Sequence, residues 1–157
     1  MPPAPSAGLL LFRRPSGLEV LLAHLGGPYF AGKDDGAWSI PKGEYGPDEE
    51  PLAAARREFT EELGAVPPAG EPYLPLETVR QRNGKRVTAW AVEADLDVRA
   101  VVSNTFEIEW PPRSGRRQSF PEVDRAAWFD LETARRKMIS GQDALLDRLL
   151  VRLATAS

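Results

Sequence analysis

The chain has 157 residues, 42% of them hydrophobic and 27% charged, and a formal net charge of −3. That length and balance describe one globular domain, spanning 1–157, with enough core to fold unaided. The acidic sign argues against a stable nucleic-acid partner, since concentrated Lys and Arg hold such backbones. The absence of cysteine excludes disulfides, thiolate zinc sites and cysteine nucleophiles.

Residues 2–7, rich in Pro, Ala and Ser, read as a flexible tail. The opening MPPAPSAGLLLFRR has neither the basic flank of a signal peptide nor an apolar run long enough to span a membrane. A cytoplasmic location without membrane attachment is therefore expected. Gly8 to Phe12 is continuously apolar, and LEVLLAHL resumes that character after RRPSG, which predicts two strands joined by a turn at Arg14–Gly17. GGPYFAGKDDG reads as a loop, and Ala37–Ile40 as a short strand stopped by Pro41.

Pro51 suits the first turn of a helix, where its missing N–H costs nothing. That helix should run to Leu63 and stop at Gly64. At roughly 100° per residue, Leu52, Ala55, Phe59 and Leu63 share a core-facing side. Glu58, Glu61 and Glu62 fall on another side, with Arg57 at its edge. Beyond VPPAG, strands are expected over Thr78–Gln81 and Arg86–Glu93, with Asn83–Gly84 as a hairpin turn. Another strand should cover Asn104–Trp110, followed by a basic loop, PPRSGRRQSFPE. Ala126–Phe129 reads as extended, Leu131–Met138 as helical, and Ser140 with Asp143 has capping-box spacing before the helix ALLDRLLVRL. Strands, an inserted helix and closing helices imply a mixed α/β sandwich.

The chemistry concentrates between Gly43 and Ala65. Glu58, Glu61 and Glu62 lie three and four residues apart, so their side chains can converge from successive helical turns. Carboxylates gathered in this way repel one another unless a cation sits among them, and a hard divalent ion prefers oxygen ligands and often carries phosphates. A solvated helix face is the competing explanation for three glutamates alone.

The frame around them decides between the two. Gly43, five residues, Glu49, seven residues and then REFTEELGA reproduce the box G-x5-E-x7-R-E-U-x-E-E-x-G-U, with U an apolar residue. The chain thereby resembles the Nudix hydrolase family. The resemblance implies an α/β/α sandwich with a mixed sheet and metal-dependent cleavage of a phosphoanhydride in a nucleoside diphosphate-linked substrate. It also implies Mg²⁺ or Mn²⁺ held by Glu58, Glu61 and Glu62, with the Gly43 backbone as a further ligand. One of the glutamates would help activate the attacking water. Arg57 would organise the glutamates by pairing, braced by Glu49. Such enzymes recruit an additional acid from outside the box. Glu122 in FPEVDRAAWF is the first candidate, with Glu107 and Glu109 as alternatives.

Substrate choice lies elsewhere in the chain. Lys42 precedes the box glycine and can reach a phosphate, as can Arg113, Arg116 and Arg117 in the basic loop. Tyr29, Tyr73, Trp90 and Trp110 are candidates for stacking on a base, whereas Trp38 and Pro41 are expected to position the loop and His24 to take a packing or surface role. WSIPKGE and the small size resemble members that cleave dinucleoside polyphosphates or diphosphoinositol polyphosphates. A nucleoside triphosphate is a further candidate, and a non-catalytic nucleotide-binding module is the reading from another class. A monomer or a homodimer fits equally.

Overall fold

The structure, a computed structural model, describes residues 4–155. Its strands are β1 (Ser6–Arg13), β2 (Glu19–Leu25), β3 (Trp38–Ser39), β4 (Lys42–Glu44), β5 (Leu74–Arg80), β6 (Arg86–Glu93), β7 (Thr105–Glu109), β8 (Arg117–Pro121) and β9 (Val123–Asp130). The α-helices are α1 (Pro51–Leu63), α2 (Leu131–Lys137) and α3 (Ala144–Thr155), and Val98–Ala100 makes a 3₁₀ turn. Seven strands form a mixed sheet in the order β3-β2-β1-β6-β5, with β4 also beside β1 and β9 also beside β2. The pairing of β1 with β6 is parallel, and the remaining pairs are antiparallel. Strands β7 and β8 form a separate hairpin.

The apolar run in β1 follows from its place at the centre of an α/β/α sandwich. Leu9 and Leu11 pack in the core on the α1 side, while Leu10 and Phe12 pack in the core that α2 and α3 cover. β2 divides in the same way, with Leu21 and Ala23 on one side and Val20 and Leu22 on the other. A strand covered on both faces needs apolar residues at every position and loses its alternation.

α1 begins at Pro51 and ends at Gly64, whose φ of 72° lets its N–H turn back to the Thr60 carbonyl. Ala55, Phe59 and Leu63 are buried as predicted, Ala54 joins them, and Leu52 is only partly buried. α2 starts on Asp130, whose carboxylate accepts the Thr133 N–H at 2.8 Å.

Several expectations are corrected. Ser6 and Ala7 belong to β1 and are buried, because β4 and β6 flank this end of the strand; Met1 to Pro3 lie outside the described residues. β5 starts at Leu74, with a register irregularity at Glu77, whose φ is 64°. The second half of the basic loop is strand β8, paired with β7 across Glu107 and Ser119. No capping box forms at Ser140: Asp143 accepts the N–H of Gly141 instead, and α3 begins at Ala144. Among the described residues, no helix is long and apolar enough to cross a membrane.

Candidate active site

Six separate stretches build one cleft of about 430 Å³, lined by Ser6, Lys42, Gly43, Glu44, Glu58, Glu61, Glu62, Lys85, Asn104 and Glu122. Helix α1 supplies three carboxylates from one side, and β4 supplies the backbone opposite. Gly43 is placed where no side chain fits, because a Cβ there would come within 2.0 Å of the Glu58 Cδ atom. The missing side chain therefore lets the Glu58 carboxylate lie directly against the backbone of β4.

Arg57 closes the outer edge. It donates to both oxygens of Glu49, from Nε at 2.7 Å and Nη2 at 2.8 Å, a two-pronged pairing that fixes the guanidinium plane. Its Nη1 donates to Glu58 at 2.8 Å and to Glu61 at 3.1 Å. The Glu49 pairing and its neighbouring carboxylates push the Arg57 pKa upward, so its charge is permanent. The same pairing pulls Glu49 below the usual carboxylate range.

Deeper in the cleft the balance reverses. Burial pushes Glu62 up to about 8, against the pull of Lys42, whose backbone N–H donates to the Glu62 carboxylate at 3.4 Å. Burial also raises Glu58, against its hydrogen bond to Arg57, and raises Glu122, against Lys42. Lys42 is itself pulled down by burial despite the carboxylates around it. Desolvation therefore outweighs the pairing at the base of the cleft, leaving acidic groups short of compensating charge.

That donor set fits a hard divalent cation, which takes carboxylate and carbonyl oxygens. The carboxylates are not converged around one point, since Glu58 turns to Arg57 and Glu62 to the Lys42 amide. Accordingly, no group of three metal-binding side chains is already gathered among the described residues.

Lys42, Gly43, Glu58, Glu61, Glu62 and Glu122 thus share the cleft, with Arg57 bonded at its edge. Arg113, Arg116 and Arg117 are not among its lining residues. Arg117 pairs with Glu107 at 2.8 Å, and the Glu109 carboxylate accepts the N–H groups of Arg113 and Gly115. Both alternative acids are thereby engaged within the β7–β8 hairpin.

The aromatic candidates divide. The Tyr73 hydroxyl donates to the Pro68 carbonyl and accepts from Arg56, and Trp90 packs in the core on the α1 side. Tyr29 and Trp110 meet edge to face, with ring centroids 5.2 Å apart. His24 is buried, with Nδ1 2.8 Å from Asp124 and Nε2 donating to the Lys33 carbonyl at 2.7 Å. Trp38 packs against His24 and Phe129 and donates to Asp34. His24 thus takes a packing role, and Trp38 helps hold the loop around Asp34.

Ser6, Glu44, Lys85 and Asn104 also line the cleft, and the sequence alone does not single them out. Lys85 arrives because Ser6 pairs with Val87, and Asn104 because its N–H bonds the Glu61 carbonyl while its own carbonyl takes the Glu122 N–H. Only the NG turn before Lys85 hinted at any of these positions.

The profile of the NUDIX domain matches residues 2–149, and the chain belongs to that family. It is accordingly a hydrolase acting on phosphoanhydride bonds. Its fold is similar to that of the C. elegans Ap4A hydrolase in a binary complex, at 23% identity and a TM-score of 0.67, covering 96% of this chain and 98% of that one. It is also similar to a mutT/nudix family protein from Listeria innocua, at 16% identity and a TM-score of 0.63, over 99% and 97% of the two chains. The NUDIX domain of Shewanella oneidensis NrtR, complexed with ADP ribose, shares 18% identity and a TM-score of 0.59, over 98% of this chain and 90% of that one. No curated protein matches the chain in sequence.

Proposed function

We propose that the chain cleaves a nucleoside diphosphate-linked substrate, a dinucleoside polyphosphate ahead of a nucleoside triphosphate or diphosphoinositol polyphosphate, with Mg²⁺ or Mn²⁺ as cofactor. The observation that carries this reading is the single cleft in which Glu58, Glu61, Glu62 and Glu122 face Lys42 and Lys85. Glu58, Glu61 and Glu62, with the Gly43 backbone, would hold the cation. When bound, such an ion neutralises diphosphate charge and makes water a stronger acid. Arg57 keeps Glu58 and Glu61 oriented while Glu49 holds the guanidinium in place. The Glu122 carboxylate takes the proton of the attacking water, and its burial in the cleft raises it above the usual carboxylate range, which makes it a stronger base. Lys42 and Lys85 act on the phosphates as point charges. The likeness to the C. elegans Ap4A hydrolase supports the dinucleoside class as the first to assay.

The test is a phosphate-release assay coupled to calorimetry across nucleoside triphosphates, ADP-ribose, NADH, coenzyme A, diadenosine polyphosphates and diphosphoinositol compounds. Metal-stimulated cleavage highest on a diadenosine polyphosphate is expected. Tight binding without cleavage anywhere on the panel would instead identify a nucleotide-binding module, and preferential cleavage of another compound would reassign the substrate.

A further inference from the structure

The strand register sets Arg80 directly opposite Arg86 at the end of the β5–β6 hairpin. Like charges in cross-strand positions repel, and an anion bound between them would relieve that repulsion. Neither side chain has an ion-pair partner among the described residues, and both are exposed. Arg82, at the tip between them, is exposed and likewise unpaired. The cation that follows it, Lys85, lies 3.8 Å from Glu44 and lines the carboxylate cleft.

The hairpin end faces the reacting side of the sheet. Thr78 and Thr88 are opposite partners two residues inside the arginine pair, and their hydroxyls meet at 2.7 Å on the same face. Trp90, the next residue of β6 on that face, packs with the core on the α1 side, whereas Val79 and Val87 point into the other core. Arg80 and Arg86 therefore lie on the side of the sheet that carries α1 and its glutamates.

This end of the hairpin is also held firmly. Gln81 accepts from the buried Gln142 amide at 2.8 Å, and the same amide donates to Ser39 and accepts the Ile40 N–H. The Arg82 N–H bonds the Ser140 carbonyl, and Gly141 packs so closely that a Cβ would lie 2.5 Å from the Arg80 carbonyl oxygen. Rigid backbone beneath flexible cations suits recognition of a charged chain without a fixed shape.

We propose that Arg80, Arg82 and Arg86, continuing from Lys85, form a binding site for the distal phosphates of an extended polyphosphate whose reacting anhydride lies in the cleft. The inference rests on the hydrolase reading for its place in the reaction, and it moves the distal-phosphate site away from Arg113–Arg117. Planar guanidinium groups are matched to phosphate oxygens, and a pair of them side by side spans neighbouring phosphates.

Inorganic tripolyphosphate tests it independently of turnover. At low ionic strength, calorimetry on metal-free protein should show Arg80→Gln/Arg86→Gln weakening tripolyphosphate by about tenfold. Without anion, the double variant should melt no lower than wild type because the repulsion is gone. Tripolyphosphate should raise the wild-type Tm and leave the variant's nearly unmoved. In turnover, the KM ratio between a long polyphosphate substrate and a compact diphosphate one should rise at least about threefold in the variant. Equal tripolyphosphate affinity in the two proteins overturns the inference, as does absence of binding by wild type. A loss confined to Arg113→Gln/Arg116→Gln overturns it as well, by assigning the site to the β7–β8 turn. None of these binding results depends on whether the chain cleaves any compound, so failure of the activity assay is separately visible.

Discussion

Buried polar groups near Gln142 and near Glu62 obey opposite rules. Gln142, between β3 and the β5–β6 hairpin, donates to Ser39 and Gln81 and accepts from Ile40, a neutral set whose demands are mutually met. Glu62, behind β4, meets one long hydrogen bond from Lys42 and a charge balance that burial overrides. The first arrangement specifies a single geometry for the protein alone. The second is left short of positive charge by the protein alone, and that difference separates the part of the molecule built for rigidity from the part proposed above to receive a ligand.

The sharpest test is to remove a carboxylate without changing its shape. Glu58→Gln and Glu62→Gln should each lower metal-dependent turnover by about a hundredfold to a thousandfold, because divalent-ion stabilisation of a transition state is worth several kcal/mol. Their folded fractions should be unchanged by circular dichroism. Near-normal turnover in both proteins would erase the distinction drawn above. Glu122→Gln should cost about a hundredfold, the low end of a general base's contribution, and should alter the pH profile of kcat/KM. A profile identical to wild type would remove Glu122 from proton transfer.

On the Gln142 side the loss should appear in stability. Gln142→Leu strands the polar atoms of Ser39, Ile40 and Gln81 and should cost about 2 kcal/mol in urea unfolding. A stability equal to wild type would show that the amide set contributes no rigidity. A further test is the pH dependence of the metal-free protein. Glu62 titrates at about 8 in the fold against an ordinary 4.5, so the fold favours its neutral form. That contribution is fully present below pH 4.5 and is lost as pH rises through about 8. Wild type should therefore lose more stability than Glu62→Gln as pH rises from 5 to 8. Parallel stability curves for the two proteins would contradict the burial argument.

Helix α1 and its frame were legible because both depend on local rules: Pro51 at the start, Gly64 at the end and an apolar spacing that matches 3.6 residues per turn. The first strand reads too short from sequence because Ser6 and Ala7 look like tail, and only their pairing with β4 and β6 makes them part of it. β8 was missed for a related reason. Arg117, Gln118 and Ser119 are exposed and polar, so no burial pattern marks the hairpin they complete with β7. Lys85 and Asn104 were invisible as cleft residues because tertiary pairing brings them there, and no spacing in the sequence encodes that approach. The basic run from Arg113 drew attention by composition, whereas the opposed Arg80 and Arg86 become a pair only once strand register is known.

The parallel pairing of β1 with β6 has a consequence for synthesis. β1 is made first, yet its partner on that side, from Val87 to Glu93, is made only after β2, α1 and β5. A nascent chain therefore carries a strand apolar on both faces through the time in which more than half the protein is translated. Contacts that distant in sequence form slowly and leave sticky surface exposed meanwhile. Fragments ending after α1 should for this reason aggregate or bind chaperones rather than fold, and helix α1 cannot acquire its setting until the far side of the sheet has left the ribosome.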